Sequence, residues 1–247
     1  MQNFFKRHEK KYLITQDQAA ALQNIISQRM NKDPQYLVQN LYYDSGNWDI
    51  IRKSIEKPFY KEKLRLRLYG LYSTDSQAFI ELKKKYDGIT YKRRAAVPVM
   101  EIKNRSIGEI INSSDSQIHR EIAFFLKNNT VSEKVYIAFR RTAYTGIKES
   151  DLRITFDNDI LFTLCPRNKC CFDGFNPGNG RRILKPSQSL LEIKTAISMP
   201  FWLARALSEK SIFPSSFSKY GVCYAKHIAG GKDCFQFVNK GEEKDAA

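Results

Sequence analysis

The chain has 247 residues, of which 42% are hydrophobic and 13% aromatic, which is enough for a substantial core in one large domain. Its formal net charge of +15 predicts an anionic partner, either nucleic acid, anionic lipid or a phosphorylated small molecule. No apolar run approaches the roughly 20 residues that span a bilayer, and the N-terminus lacks the apolar core of a signal peptide, so we expect a soluble cytoplasmic protein.

The first predicted strand covers residues 7–14, where polar and apolar side chains alternate with a period of two. Thr15 then caps a predicted helix that ends before Asp33. The apolar stripe of this helix consists of Leu22, Ile25, Ile26 and Met30. Residues 36–43 predict a second strand, followed by a turn and a short helix that carries Trp48.

Three neighbouring strands are predicted within residues 61–94, and the last two are joined by a hairpin turn at Asp87-Gly88. Alternation places eight cations on one surface of these strands: Lys61, Lys63, Arg65, Arg67, Lys83, Lys85, Lys92 and Arg94. Like charges that face one another across strands are destabilising unless an anion neutralises them. This pattern favours a polyanionic ligand, and the alternative is a solvated outer face of an antiparallel sheet.

The second half of the chain repeats the strand pattern. Residues 98–111 and 118–126 predict helices, and residues 134–144 predict a strand that sets Arg140 apart from an apolar face formed by Val135, Ile137 and Phe139. In the next strand, residues 151–162, Arg153 lies opposite the apolar parity. The remaining predictions are an irregular segment at 165–186, a last strand at 189–196, helices at 200–207 and 218–227, and a charged flexible tail at 241–247.

These eight strand candidates favour an α+β fold consisting of an eight-stranded antiparallel closed β-barrel, a tunnel, with helices packed on the outside. We expect one such domain over residues 1–240. In a closed barrel the charged parity lines a central cavity, whereas an open sheet would need a large solvated basic face. Cations at this density in a cavity become favourable only around a polyanion.

In three strands a glutamate precedes a lysine by two residues, so both lie on the same face. The pairs are Glu9 with Lys11, Glu81 with Lys83, and Glu192 with Lys194. Carboxylate oxygens among phosphate-binding cations are what a Mg²⁺ or Mn²⁺ complex of a triphosphate requires. The five cysteines lack the two-residue spacing of a zinc knuckle, so we expect reduced thiols.

The segments that carry a family resemblance are RHEKKYLI, NLYYDS, KLRLRLYG, FIELKKK, TYKRR, IAFRRTAY, LRITFD, LLEIKTA and FSKYG. In this order the chain resembles a VTC-type polyphosphate polymerase domain of the CYTH-like triphosphate tunnel metalloenzymes. The resemblance implies a tunnel that binds ATP or another triphosphate and polyphosphate, with Mn²⁺ or Mg²⁺ as cofactor. It makes Glu192 the metal ligand, and it leaves Glu9 and Glu81 as either second metal ligands or ion-pair partners of the lysines beside them.

The resemblance also assigns the cations to roles. It implies catalytic roles for Arg65, Arg67, Lys83 and Arg140 together with Glu192. The implied substrate-binding residues are Lys11, Arg65, Arg67, Lys83, Lys92, Arg140, Arg153, Lys194 and Lys219.

One departure from the family pattern favours transfer over hydrolysis. Hydrolytic tunnel enzymes usually carry Glu-x-Glu-x-Lys in the first strand, where this sequence has Arg7, Glu9 and Lys11. The sequence therefore predicts a polyphosphate polymerase that uses the terminal phosphate of ATP. The alternatives are an inorganic or nucleoside triphosphatase and a non-catalytic polyphosphate-binding module. A nucleic-acid-binding module ranks lower, because few aromatic side chains lie among the cations.

Overall fold

The structure, a computed structural model, describes residues 8–87, 89–165 and 180–230. The strands are β1 (His8–Thr15), β2 (Met30–Lys32), β3 (Tyr36–Asp44), β4 (Tyr60–Tyr69), β5 (Gln77–Tyr86), β6 (Ile89–Pro98), β7 (Ser132–Gly146), β8 (Arg153–Leu164), β9 (Arg181–Arg182) and β10 (Gln188–Thr195). The helices are α1 (Gln16–Ile26), α2 (Asp49–Ile55), α3 (Val99–Asn104), α4 (Ile107–Asn112), α5 (Gln117–Asn128), α6 (Phe201–Glu209) and α7 (Lys219–His227). The eight predicted strands are all present.

Two predicted helices differ from the structure. Helix α1 ends at Ile26, and Met30 begins the short strand β2, where it pairs with Gly146 of β7. The predicted apolar stripe of the helix is therefore wrong at Met30, because this residue is paired in a strand. The helix predicted at 98–111 is two helices, since the hydroxyl of Ser106 accepts a hydrogen bond from the backbone of Glu109 and starts a new helix.

The described chain divides into two compact units. The first unit contains residues up to 36, residues 139–160 and residues from 182 onward. Its strands follow the order β1-β10-β8-β7, with β2 also paired to β7. Apolar side chains from one parity of β1, β8 and β10 form a core with α1 and α6, and these include Tyr12, Ile14, Leu22, Ile26, Ile154, Phe156, Leu191, Ile193, Leu203 and Leu207.

The second unit contains residues 37–138 and 161–181. Its strands follow the order β7-β3-β4-β5-β6. Leucine and isoleucine side chains from one parity of β4 and β5 are fully buried beneath α4 and α5, in a core that includes Leu64, Leu66, Leu68, Ile80, Leu82, Ile110, Ile111, Ile122 and Phe125. In each unit the helices therefore cover the apolar face of the strands, and the charged parity lies on the other face.

The fold class is α+β, and the strand pairs with a defined register are antiparallel. Among the described residues β1 pairs only with β10 and β6 only with β5, so the strand pairing does not show a closed barrel. The closed-barrel prediction is thus not confirmed. None of the helices in the described part of the chain is long and apolar enough to cross a bilayer. The predictions for Arg7, Gly88, most of 165–186 and the tail at 241–247 lie outside the described residues.

Candidate functional site

The second unit carries a group of four cations around one glutamate, which we call the Glu81 cluster. It consists of Glu81, Arg65, Arg67, Lys92 and Arg94. The strand register sets Glu81 directly between Arg65 of β4 and Arg94 of β6. The Glu81 side chain is only 1% exposed, and both of its oxygens are in use. Oε2 accepts hydrogen bonds from Nε and Nη2 of Arg65 at 2.9 and 2.7 Å, while Oε1 contacts Nζ of Lys92 at 2.6 Å and Nε of Arg94 at 2.9 Å.

Arg67 is more buried than the other cations of the Glu81 cluster, and most of its contacts are with neutral groups. Its Nε donates to Oδ1 of Asn40 at 2.8 Å, and its Nη1 donates to the Tyr69 hydroxyl at 3.3 Å. The same hydroxyl accepts a hydrogen bond from Nη2 of Arg94 at 2.7 Å. The Glu81 carboxylate is 3.8 Å away from Arg67. Burial, followed by the charge of Arg65, lowers the pKa of Arg67.

The electrostatics of the Glu81 cluster favour a further anion. Burial alone would raise the pKa of Glu81, but Arg65, Arg67 and Lys92 outweigh it and hold that pKa far below its ordinary value. Burial lowers the pKa of Lys92 even though Glu81 opposes the change. One carboxylate thus remains ionised among four cations and neutralises only part of their charge.

The first unit carries a second charged group, which we call the Glu192 cluster. It consists of Glu192, Asp157, Lys11, Lys194, Arg141 and Lys219. Glu192 lies directly opposite Lys11 of β1. Its carboxylate oxygens are 3.6 Å from Nζ of Lys11, 3.4 Å from Nζ of Lys194 and 3.6 Å from Nη2 of Arg141. At these distances the contacts are ion pairs and not hydrogen bonds. Burial alone would raise the pKa of Glu192, but the nearby cations, Lys194 first, hold it well below its ordinary value.

Asp157 is the fully buried anion of the Glu192 cluster. Arg141 donates two hydrogen bonds to it, from Nε at 2.6 Å and from Nη2 at 2.7 Å, and Nζ of Lys219 in α7 donates a third at 2.6 Å. The Lys219 ammonium also lies 4.3 Å from the centre of the Phe139 ring. Burial lowers the pKa of Lys219 although Asp157 and Glu192 oppose it. Helix α7 therefore brings a cation to the strand face.

The family profile of the VTC domain matches residues 6–228 of this chain, which includes both charged clusters. The chain belongs to the VTC domain family. No curated protein matches it. The resemblance of the sequence motifs to a VTC domain is therefore confirmed.

Several solved structures resemble this VTC domain at low sequence identity. A putative adenylyl cyclase from Hippeastrum, described as having a dominant triphosphatase activity, is 18% identical with a TM-score of 0.49, over 87% of this chain and 93% of that one. A putative adenylate cyclase from Vibrio parahaemolyticus is 13% identical with a TM-score of 0.45, over 89% and 98% of the two chains. The PH1819 protein from Pyrococcus horikoshii is 13% identical with a TM-score of 0.45, over 87% and 93%.

The structure corrects the predicted position of one arginine of the VTC domain. Arg140 is exposed, and its neighbour Arg141 makes the contacts with Asp157 and Glu192. The alternation in β7 is ambiguous because both parities are apolar and buried. Tyr136 and Ala138 join the core of the second unit, while the Phe139 ring lies on the same side as Arg141.

Replacing Arg140 and Arg141 one at a time by methionine tests this correction. We expect Arg141→Met to lower the free energy of unfolding by about 3 kcal/mol, because it leaves the buried Asp157 with Lys219 as its remaining hydrogen-bonding cation. Arg140→Met should change it by less than about 0.5 kcal/mol, since that side chain is exposed. Urea denaturation measures both variants. Equal losses would contradict the placement of Arg141.

The other predicted site residues of the VTC domain lie on the charged faces. Lys83 faces Lys63 on one side and Lys92 on the other, beyond Glu81 toward the β5–β6 hairpin. Lys194 lies opposite both Glu9 and Arg153. The Arg153 guanidinium is half-exposed and is 3.9 Å from the carboxylate of Asp33.

The two glutamates with open roles both make ion pairs. Glu9 is 3.4 Å from Nζ of Lys11 and 3.7 Å from Nζ of Lys194, and Glu81 contacts all four of its surrounding cations. Sequence reasoning did not single out Asp157, Arg141 or Arg94 as site residues, although alternation placed Asp157 and Arg94 on the correct faces.

A divalent cation needs a carboxylate whose oxygens are not already engaged in hydrogen bonds. In the described residues no three His, Cys, Asp or Glu side chains are arranged to hold a metal ion. Glu81 and Asp157 accept hydrogen bonds on both oxygens, whereas Glu192 accepts none in the described part of the chain and has only ion pairs at 3.4–3.6 Å. Carboxylate oxygen is a suitable donor for Mg²⁺ or Mn²⁺. Among the carboxylates of the two clusters, Glu192 is the one whose contacts are ion pairs without hydrogen bonds.

Proposed function

We propose that this VTC domain is a metal-dependent polyphosphate polymerase that takes the terminal phosphate of ATP. The observation that carries the proposal is the Glu81 cluster, where four cations surround one buried carboxylate on the helix-free face of the strands. Membership of the VTC domain family supports a triphosphate as the substrate class. The closed eight-stranded tunnel and a cytoplasmic location belong to this proposal as its expected architecture and setting.

In this proposal the cations position and neutralise the phosphate chain. Arginine guanidinium groups bind non-bridging phosphate oxygens with charge-assisted hydrogen bonds, and Arg65 already donates two such bonds to one carboxylate oxygen, Oε2 of Glu81. Lys83 and Lys92 extend the positive surface toward the β5–β6 hairpin. Mn²⁺ or Mg²⁺, when bound by Glu192 in the first unit, would supply additional positive charge to a phosphoryl group held by the cations of the Glu192 cluster. Phosphoryl transfer needs mainly positioning and charge neutralisation, so no covalent protein nucleophile is required.

The nature of the attacking group separates the polymerase from the hydrolase. If the end of a polyphosphate chain attacks the terminal phosphorus of ATP, ADP leaves and the chain grows by one phosphate. If water attacks, phosphate and ADP are released. Arg7 stands where hydrolytic tunnel enzymes usually carry a glutamate, which removes a group able to orient water and favours transfer.

The deciding experiment incubates the purified protein with ATP and Mn²⁺ and separates the products by gel electrophoresis and phosphate assay. The expected product is long-chain polyphosphate. Phosphate without polyphosphate would contradict the polymerase and support the triphosphatase. Tight polyphosphate binding without any turnover of ATP would contradict both enzymes and support a binding module.

A pair of arginine variants tests the site itself. We expect Arg65→Ala to lower turnover by about 10²-fold or more, because it removes a preorganised phosphate contact on the face of the Glu81 cluster. Arg93→Ala is the matched control, since Arg93 lies one residue before Arg94 on the opposite, helix-covered face and pairs with Glu121 of α5. Its turnover should remain within about twofold of the wild type. Full activity in Arg65→Ala would exclude the Glu81 cluster from the site.

A further inference from the structure

Asp157 is a fully buried carboxylate that connects strand β7 to helix α7 through two cations. Arg141 of β7 donates hydrogen bonds to it from Nε at 2.6 Å and from Nη2 at 2.7 Å, and Nζ of Lys219 in α7 donates another at 2.6 Å. The cations around Glu192 are farther from their carboxylate, at 3.4–3.6 Å. The contacts of Asp157 are therefore the short, directional ones of the Glu192 cluster.

The Phe139 ring supports the same two cations from another side. The ring is buried, and its centre lies 4.3 Å from Nζ of Lys219 and 5.2 Å from Cζ of Arg141. At these distances both cations make cation–π contacts. Two long and flexible side chains are thus held in one arrangement by a carboxylate and an aromatic ring.

Both cations retain donors for a ligand. A guanidinium and an ammonium have more N–H groups than the three contacts with Asp157 use, and within the described ranges neither cation makes another hydrogen bond. The side chains of Arg141 and Lys219 are 10% and 11% exposed, so they are not closed off from the strand face. Remaining N–H groups of this kind suit the non-bridging oxygens of a phosphate.

The negative charge of Asp157 has two opposite effects on a phosphate. It repels the phosphate by Coulomb's law, so a residue that only neutralised the cations would weaken anion binding. It also orders Arg141 and Lys219 in advance, so the ligand does not lose affinity by ordering them itself. The short hydrogen bonds and the supporting ring favour the second effect.

We propose that Asp157 is a positioning residue that holds the guanidinium of Arg141 and the ammonium of Lys219 in the arrangement that binds a phosphate group of the substrate. This inference rests on the proposed function in so far as the Glu192 cluster binds phosphate. It assigns to a carboxylate a favourable effect on the binding of an anion. The sign of that effect distinguishes positioning from simple neutralisation.

The test measures the affinity of Asp157→Asn for inorganic tripolyphosphate. Isothermal titration calorimetry is run without metal ions, at a temperature where circular dichroism shows every protein to be folded. We expect Asp157→Asn to bind tripolyphosphate about 10-fold more weakly than the wild type, although the substitution removes a negative charge. Unchanged or tighter binding would overturn the inference and leave the polymerase standing, because a counter-charge or a purely structural residue gives that result in a folded variant.

Asp159→Asn is the matched control, since it makes the same change of charge in the same strand. Asp159 is exposed and pairs with the exposed Arg182 at 2.9 Å, and asparagine tolerates its positive φ of 49°. Its affinity for tripolyphosphate should stay within about twofold of the wild type. An equal loss in both variants would overturn the inference, because the loss would then not come from the contacts of Asp157.

A second pair of variants applies if Asp157→Asn alone does not fold. Lys219→Met keeps a side chain of similar length against the Phe139 ring and leaves Asp157 with Arg141. Adding Asp157→Asn to it removes one charge of each sign, and this double variant should bind tripolyphosphate a few-fold more weakly than Lys219→Met. Equal or tighter binding would overturn the inference. Absence of tripolyphosphate binding to the wild type would overturn the proposed function as well.

Discussion

In the proposed polymerase, replacing Glu192 by Gln is expected to lower polyphosphate synthesis by about 10³-fold while the protein stays folded. In the proposed function this carboxylate binds the divalent cation, and an amide oxygen lacks the negative charge that would hold it. A metal contributes several kcal/mol of charge stabilisation to a phosphoryl transfer, and about 1.4 kcal/mol corresponds to a tenfold change in rate. Initial rates with ATP and Mn²⁺ measure the effect.

The fold should survive this substitution because each cation around Glu192 has another partner. Lys11 and Lys194 are both within 3.7 Å of Glu9, and Arg141 keeps two hydrogen bonds to Asp157. We expect the free energy of unfolding to fall by no more than about 1–2 kcal/mol. Glu209→Gln is the isosteric control, since Glu209 is exposed on α6 and pairs with Arg205 one turn earlier. Wild-type turnover in Glu192→Gln would remove Glu192 from the metal site.

Where the alternation is one-sided, the sequence predicts the charged face correctly. In β4 and β5 one parity is leucine and isoleucine and the other is largely arginine, lysine and glutamate, so the face of Arg65, Arg67 and Glu81 follows from the period of two. In β7 both parities are apolar, and nothing in the local sequence distinguishes Arg140 from Arg141. Arg141 is the buried arginine of the two because it hydrogen-bonds to Asp157, which lies 16 positions along the chain.

The different environments of Glu81 and Glu192 also could not be predicted from the sequence. Glu81 and Glu192 both occur in a Glu-x-Lys pattern. This local pattern does not predict how many cations come within hydrogen-bonding distance of each carboxylate. Strand register brings Arg65 and Arg94 to both sides of Glu81, whereas it brings Lys11 and Thr155 to the sides of Glu192. The contacts of Glu81 with Arg65, Lys92 and Arg94 are 2.6–2.9 Å long, whereas Glu192 makes only longer ion pairs at 3.4–3.6 Å.

Glu81→Gln should therefore be the most destabilising charge change in the second unit, with a loss of about 4 kcal/mol in the free energy of unfolding. Among the described residues no other carboxylate pairs with Arg65, Lys92 or Arg94, so the substitution leaves these three cations close together without their shared counter-charge. Glu121→Gln is the matched control, because Glu121 also pairs with two cations but is 25% exposed on the helix-covered face. Its loss should stay below about 1 kcal/mol. Urea denaturation at pH 7 measures both.

The pH dependence of this difference has a defined sign. The neighbouring cations outweigh burial and depress the folded-state pKa of Glu81 below its ordinary 4.5, so its contribution to stability is complete above that value. The contribution is lost as the pH falls below 4.5 toward the folded-state pKa, because the protonated carboxyl resembles glutamine. The stability gap between wild type and Glu81→Gln should be constant from pH 6 to 8 and should narrow below about pH 4.5. A gap that is unchanged down to pH 3 would show that the loss does not come from the charge of Glu81.

Tripolyphosphate should partly rescue Glu81→Gln, since a bound anion can supply the negative charge that the variant lacks. A ligand that binds only the folded state stabilises it by about 2.7 kcal/mol at a concentration 100 times its dissociation constant. In the wild type the anion must compete with Glu81 for Arg65, Lys92 and Arg94, so the rise in melting temperature should be larger in Glu81→Gln than in the wild type or in Glu121→Gln. Equal rises in all three proteins would mean that the cations around Glu81 do not contact the phosphate chain.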